Sequence, residues 1–269
     1  MPIFRRDKRR METTLSSVLP GEKVTDELGA IFGGNVFKLG PGLVKTAPTT
    51  SSSSVAAALI TPTLAGAIKK RGTQTAYVAV DRKLYVPREG DQVVGVVEDR
   101  GAGDFYKVNI GAQRTVLMAK LAFDGATKRN RPELKKGDIV YCRVSYTHKD
   151  MDPQLSCTAH ANSGIKKDWS SGEALYGELH GGVLVKVKSG LARGLLHPKS
   201  VVLTRLGANL AFEVAVGMNG IVWVKTSNVV DTVVVRNAIL NSEGLSSANT
   251  AAMVDALVSR GGDKKRDLK

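Results

Sequence analysis

The stretch DQVVGVVEDRGAGDFYKVNIGAQRTVLMAKLAF, Asp91–Phe123, decides how the centre of this chain is read. It holds three runs rich in Val, Leu, Phe and Tyr, separated by the turn-forming segments DRGAGD and GAQR. Such runs between Gly and Asp clusters are strand signals. Working outward, DIVYCRVSYTHKDMDPQLSCTA (Asp138–Ala159) supplies two more strands across a turn at Asp150–Pro153. Five short strands in about 70 residues, with a long loop between the third and fourth, predict a small closed barrel of the OB type. Its expected bounds are residues 89–161.

The long loop is the most charged part of the barrel. In FDGATKRNRPELKKG (Phe123–Gly137), Lys128, Arg129 and Arg131 fall within four consecutive positions, and Lys135 and Lys136 follow. The nearest acids are Asp124 and Glu133. An anionic ligand, an acidic patch on a neighbouring protein and plain solvation all account for such a run. Phe105, Tyr106 and Lys107 follow the first turn, where barrels of this type present stacking aromatics. A base on an aromatic face gains roughly 1–3 kcal/mol whatever its identity. Strand alternation puts Phe105 and Tyr106 on opposite faces, so one of the two belongs to the core. With Lys149 from the turn between the last two strands, the expected RNA-binding set is Phe105, Tyr106, Lys107, Lys128, Arg129, Arg131 and Lys149.

Composition narrows the function classes. The 269 residues carry a formal net charge of +14 and are 42% hydrophobic. That length fits two or three small domains, and that charge fits an anionic partner, nucleic acid first. The longest apolar stretch, Val55–Ile68, is too short for a membrane span and is broken by Pro62. The basic start MPIFRRDKRRMETT has no apolar run after it, so no secretory signal is expected. Cys142 and Cys157 fit no metal knuckle and read as reduced, mostly buried thiols ahead of the alternative of a disulfide. His148, His160, His180 and His197 stand at no spacing that suggests a nucleophile or a metal site. His148 with Asp150 and Asp152 comes nearest, and a solvated turn explains the trio more simply. No catalytic residue, metal or cofactor is expected.

Residues 1–20, basic and then Ser/Thr-rich, read as a flexible arm; Arg5, Arg6, Lys8, Arg9 and Arg10 fit an import signal, an RNA-touching tail or a solvated terminus. Residues 21–88 read as a small all-β module, interrupted near 47–72 by a weakly structured Ser/Ala-rich insertion. Within it, TQTAYVAVDRKLYVP reads as a hairpin about Asp81-Arg82-Lys83. From Gly164 the character changes to short α/β elements, expected over 164–260. There AVGMNGIVWV joins two apolar runs through Gly217-Met218-Asn219-Gly220. A Gly-x-x-Gly turn is how KH domains clamp about four backbone nucleotides. Met218 and Asn219 bring no positive charge, so a packed structural turn is expected here instead. Ala251, Val254, Leu257 and Val258 share one stripe of a C-terminal helix, followed by a basic tail at 261–269. The fold class is thus mainly β with an α/β C-terminal part.

Taken together, YVPREGDQVVGVV, GDFYKVNIG, FDGATKRNRP, KGDIVYCRV, KDMDPQLSC and VGMNGIVWVK resemble the non-catalytic cap subunits of the RNA exosome, of the eukaryotic component-three type. The resemblance runs from about Gly40 to the helix near Leu257. It implies an N-terminal β domain, a central S1-type OB barrel and a C-terminal KH domain. It also implies a role without catalysis: bracing a ring of RNase PH-like subunits and guiding RNA 3′ ends toward a separate exoribonuclease, in ribosomal RNA processing and mRNA decay. The implied partners are RNA, the ring, other cap subunits and that nuclease, with no membrane. The implied location is nucleus, nucleolus and cytoplasm. By position, Thr127–Arg131 would face the RNA path or a ring neighbour, and Gly217–Gly220 would be the family's altered KH turn, packed within the protein. Met118 stands about where free-standing S1 domains carry an RNA-facing histidine, and Gln154 where they carry an arginine. Weak binding shared across several cap subunits follows from that depletion. Phosphorolytic ribonucleases also carry these modules, but with the KH domain first and behind catalytic domains absent here. A stand-alone S1/KH protein of translation or RNA maturation is the other reading.

Overall fold

The computed structural model describes residues 13–33, 37–46, 59–71, 74–80, 84–100, 103–159, 168–171 and 174–267. They form two compact units, one within Arg6–Asp81 and the other within Arg82–Lys269.

In the first unit β1 (Thr13–Val18), β2 (Lys38–Leu39), β5 (Gly66–Arg71) and β6 (Thr75–Ala79) make a sheet in the order β1-β5-β6-β2. A separate antiparallel pair joins β3 (Leu43–Thr46) to β4 (Leu59–Pro62). This unit is not all β, because Thr25–Phe32 forms helix α1. Asp26 and Glu27 lie in its first turn, where negative charge favours the helix dipole, and Gly33 ends it in the left-handed region at φ 59°. Val24, Leu28 and Phe32, spaced by four, share a buried core with Ile60, Ile68 and Val78.

Three further expectations change. Thr13–Val18, read as part of a flexible arm, is a strand paired with β5. The insertion read as weakly structured contains β4 and β5; its residues 47–58 lie outside the described residues. The small side chains of this tract hide the alternation that buries Ile60 and Ile68. Among the described residues the expected hairpin does not form, since β6 pairs with β5 and β2 while Tyr85 bridges to Ala112; its turn, residues 81–83, lies outside them.

The five barrel strands are β7 (Gln92–Asp99), β8 (Phe105–Asn109), β9 (Val116–Phe123), β10 (Ile139–Tyr146) and β11 (Gln154–Cys157). They run in the order β11-β9-β8-β7-β10, and β11 closes the barrel by pairing parallel with β9 and antiparallel with β10. The inward residues, among them Val93, Val97, Tyr106, Val108, Met118, Val140, Cys142 and Leu155, fill a single core. Both cysteines are free, buried thiols. A Cβ at Gly95 would lie 2.5 Å from Val108 Cγ1, so the packing there leaves no room for a side chain. Because successive strands reverse, the β7–β8 and β9–β10 loops share one end of the barrel, and the β8–β9 and β10–β11 loops share the other. A strand β12 (Gly177–Leu179) adds to the start of β10.

Beyond it, β13 (Val183–Lys186), α2 (Ser189–Leu195), α3 (Val201–Asn209), β14 (Phe212–Val216), β15 (Ile221–Thr226), α4 (Val229–Asn241) and α5 (Ser247–Asp267) follow in order. The antiparallel sheet β13-β15-β14 buries Val185, Val222 and Val224 against Leu206, Val235, Ile239 and Val254 of the helices. The expected C-terminal stripe packs here through Val254, Leu257 and Val258. Helix α5 continues to Asp267, through most of what was read as a basic tail.

Candidate nucleic-acid interface

At the first barrel end, the β9–β10 loop is shaped from within. Thr127 N donates to Asn130 O at 2.8 Å, and Asn130 N donates to Thr127 Oγ1 at 3.1 Å. This tight turn carries Lys128 and Arg129, both exposed. The loop then dives inward: Leu134 is fully buried, and the Tyr106 hydroxyl donates to Pro132 O at 3.0 Å while accepting from Leu134 N at 3.3 Å. Tyr106 therefore answers the two-way reading of the aromatics. It is 3% exposed, and its ring lies in the barrel core with no face for a base. Tyr106 is thus a core residue and not an RNA contact. Phe105 is the outward one, 40% exposed, with Lys107 two residues on along the same face.

Arg131 turns back toward the β7–β8 loop, with Nη1 3.7 Å from Asp104 Oδ1. It there joins two cations not singled out in the sequence. Arg100 donates from Nε to Leu134 O at 3.3 Å, and Lys120 from Nζ to Gly103 O at 2.5 Å. Arg100, Tyr106, Lys120, Arg131 and Glu133 line a recess of about 130 Å³. Antiparallel pairing of β8 with β9 brings Lys120 here, since Phe105 pairs with Ala119 and Lys120 N donates to Asp104 O at 2.8 Å. A lysine inside an otherwise apolar strand, LMAKLAF, was the available signal.

Lys149 is not part of this cluster. It follows β10, whose eight residues at about 3.3 Å each carry the chain to the opposite end of the barrel. There Arg114 meets Asp152 at 3.6 Å, and Tyr146 stacks on His148 with ring centroids 6.4 Å apart. Asp152 thus faces an arginine, and among the described residues no group of three His, Cys, Asp or Glu is placed to hold a metal ion. Met118, which stands about where free-standing S1 domains carry an RNA-facing histidine, is fully buried and accepts a contact from Cys157 Sγ at 3.7 Å.

The Gly-x-x-Gly segment is the turn of the β14–β15 hairpin, and it lies against the barrel. Asn219 Nδ2 donates to Val94 O at 2.7 Å and to Ile110 O at 2.8 Å, and Val94 N donates to Asn219 Oδ1 at 3.3 Å. Met218 N donates to Gln92 O at 2.8 Å. Gly220 sits at φ 78°, and a Cβ there would run into Val187 O; one at Gly217 would strike Asn219 Oδ1 and lie 2.7 Å from Val94 N. Around the turn, Val94 packs with Ala215, Ile221 and Trp223, flanked by Ile139, Tyr141, Leu179 and Leu184. The Trp223 indole donates to Gly181 O at 2.6 Å.

Comparison with known proteins gives this arrangement its relatives. Residues 85–168 match the family described as Exosome complex component RRP40, S1 domain, and residues 182–230 match the KH domain family. Exosome complex component rrp40 of Schizosaccharomyces pombe is 35% identical over 86% of this chain and 90% of its own length. The chain belongs to the RRP40 family of exosome complex components. Drosophila melanogaster RRP40 is 33% identical over 85% of this chain and 90% of its own, and the Saccharomyces cerevisiae RRP40 is 33% identical over 81% and 86%. A solved structure described as that of a "putative exosome complex RNA-binding protein" superposes with a TM-score of 0.50 at 17% identity, covering 69% of this chain and 99% of that one, which speaks for the fold alone. The S1 match spans the closed barrel and its basic end, so the loops described above belong to the RRP40-type S1 domain.

Proposed function

We propose that this chain is the RNA-binding, non-catalytic cap subunit of an exosome, bracing an RNase PH-like ring beside other cap subunits. In this reading it steers RNA 3′ ends into the entrance that leads to a separate exoribonuclease, in ribosomal RNA processing and mRNA decay. One observation carries the reading. Lys128, Arg129, Arg131, Arg100 and Lys120 gather at one end of the S1 barrel, whereas the KH turn is taken up with hydrogen bonds to that barrel. Charge on the loops with an exposed Phe105 nearby suits single-stranded RNA, whose backbone is held by cations and whose bases stack. Placement in nucleus, nucleolus and cytoplasm goes with the proposed processes and is tested by imaging a tagged chain.

The decisive experiment reconstitutes the complex with Lys128→Glu and Arg129→Glu together. Both side chains project from the loop, so the complex is expected to assemble normally while RNA threads and decays more slowly. Unchanged decay and an unchanged length of protected RNA would remove the guiding role.

A further inference from the structure

We propose that the recess between the β7–β8 and β9–β10 loops is a subsite for one phosphate of a single-stranded RNA backbone. The inference rests on the RNA-binding reading above and adds a fixed grip point to a rim otherwise described only as basic. Three cations converge from three separate segments: Arg100 after β7, Lys120 within β9 and Arg131 from the long loop. Arg100 and Lys120 are each oriented by a backbone carbonyl, Leu134 O and Gly103 O. A neutral acceptor fixes a side chain without cancelling its charge. Beyond that bond the guanidinium keeps its two terminal amines, and the ammonium two more protons, to donate.

Arg131 does meet an acid, but Asp104 lies 3.7 Å away with its side chain 82% exposed. Exposed pairs of that kind contribute little and yield to a better anion. Glu133, an exposed residue, is the acid among the residues lining the recess, against three cations. The volume of about 130 Å³ is well under the roughly 300 Å³ at which pockets begin to take whole ligands, so a group and not a molecule fits. Tyr106 closes the floor, with Lys120 Nζ 5.7 Å from its ring centroid. Next to Asp104, the outer face of β8 presents exposed Phe105 and then Lys107, which gives the neighbouring base a stacking surface and the next phosphate a cation. That continuation favours a polynucleotide over the carboxylate of a protein side chain.

The test uses the full chain and a ten-residue uridine oligonucleotide, with affinity measured by fluorescence anisotropy across a salt series. Each phosphate that the protein neutralises on a single strand releases its counterions and contributes about 0.7 to the slope of log affinity against log salt. Arg100→Gln, Lys120→Gln and Arg131→Gln are each expected to lower the slope by about that amount. Any two together are expected to lower it no further, because all three hold the same phosphate. Lys128→Gln, outside the recess, is expected to add to any of them. Melting curves screen every variant, and Arg131→Lys, which keeps the charge, is expected to bind like the unmodified chain. Slope losses that add within the recess overturn the subsite and leave RNA binding standing. No binding by the unmodified chain even at low salt overturns both.

Discussion

Replacing Asn219 by alanine tests how the KH turn is used. The Asn219 amide spans two elements of the barrel through three hydrogen bonds of 2.7, 2.8 and 3.3 Å to Val94 and Ile110. A typical bond contributes about 1 kcal/mol net, and the truncation also strips partners from two carbonyls and an N–H in a half-buried seam. The expected loss is about 3 kcal/mol. In a unit of this size each kcal/mol moves the midpoint by roughly 2–4 °C, so thermal melting should fall on the order of 10 °C. Urea denaturation followed by Trp223 fluorescence is the direct assay, since that indole lies in the same seam. Asn219→Asp keeps the shape but turns an acceptor toward two carbonyl oxygens, and it should cost more than alanine. A loss below about 1 kcal/mol, or an aspartate variant as stable as the native chain, would show that the amide is not what fastens the hairpin to the barrel.

Gly220→Ala should destabilise by more than about 2 kcal/mol through its left-handed φ and the clash with Val187 O, with RNA affinity unaffected; normal melting together with lost binding would contradict this. Tyr106→Phe removes the hydroxyl that ties down Pro132 and Leu134; about 1–3 kcal/mol and faster hydrogen exchange at the Leu134 amide are expected. Burial pushes the Cys142 thiol up to about 12 and the Cys157 thiol well above its ordinary value. With folded values raised, the unfolded chain gives up these protons first, so the stability they contribute is complete below about pH 8.5 and is lost as pH climbs toward 12. Denaturation across that alkaline range checks the sign, and thiol reagents at neutral pH should label both cysteines no faster than the chain unfolds.

The barrel was legible because its strands alternate and its turns announce themselves. DRGAGD and GAQR separate β7, β8 and β9 with little ambiguity. The N-terminal unit was less so. Ser- and Ala-rich composition masks β4 and β5, and the capping pattern of TDELGAIFGG, acids first and glycine last, is short and set among strand-like neighbours. For the candidate site, the loop charge of Lys128, Arg129 and Arg131 was visible as a run. Period-two alternation separates Phe105 from Tyr106 but does not say which faces in; that depends on Pro132 and Leu134 folding over one of them. Arg100 and Lys120 lie twenty positions apart and become neighbours only through strand pairing, whereas Lys149 looks like a member of the set until the strand direction sends it to the far end.

The seam of Val94, Ile221 and Trp223, pinned by Asn219, makes barrel and KH fold a single lever. Whatever protein surface grips the KH end then sets the bearing of the cationic end without touching it. In the proposed reading, a neighbour's hold on one half becomes a choice of compass heading for RNA arriving at the other.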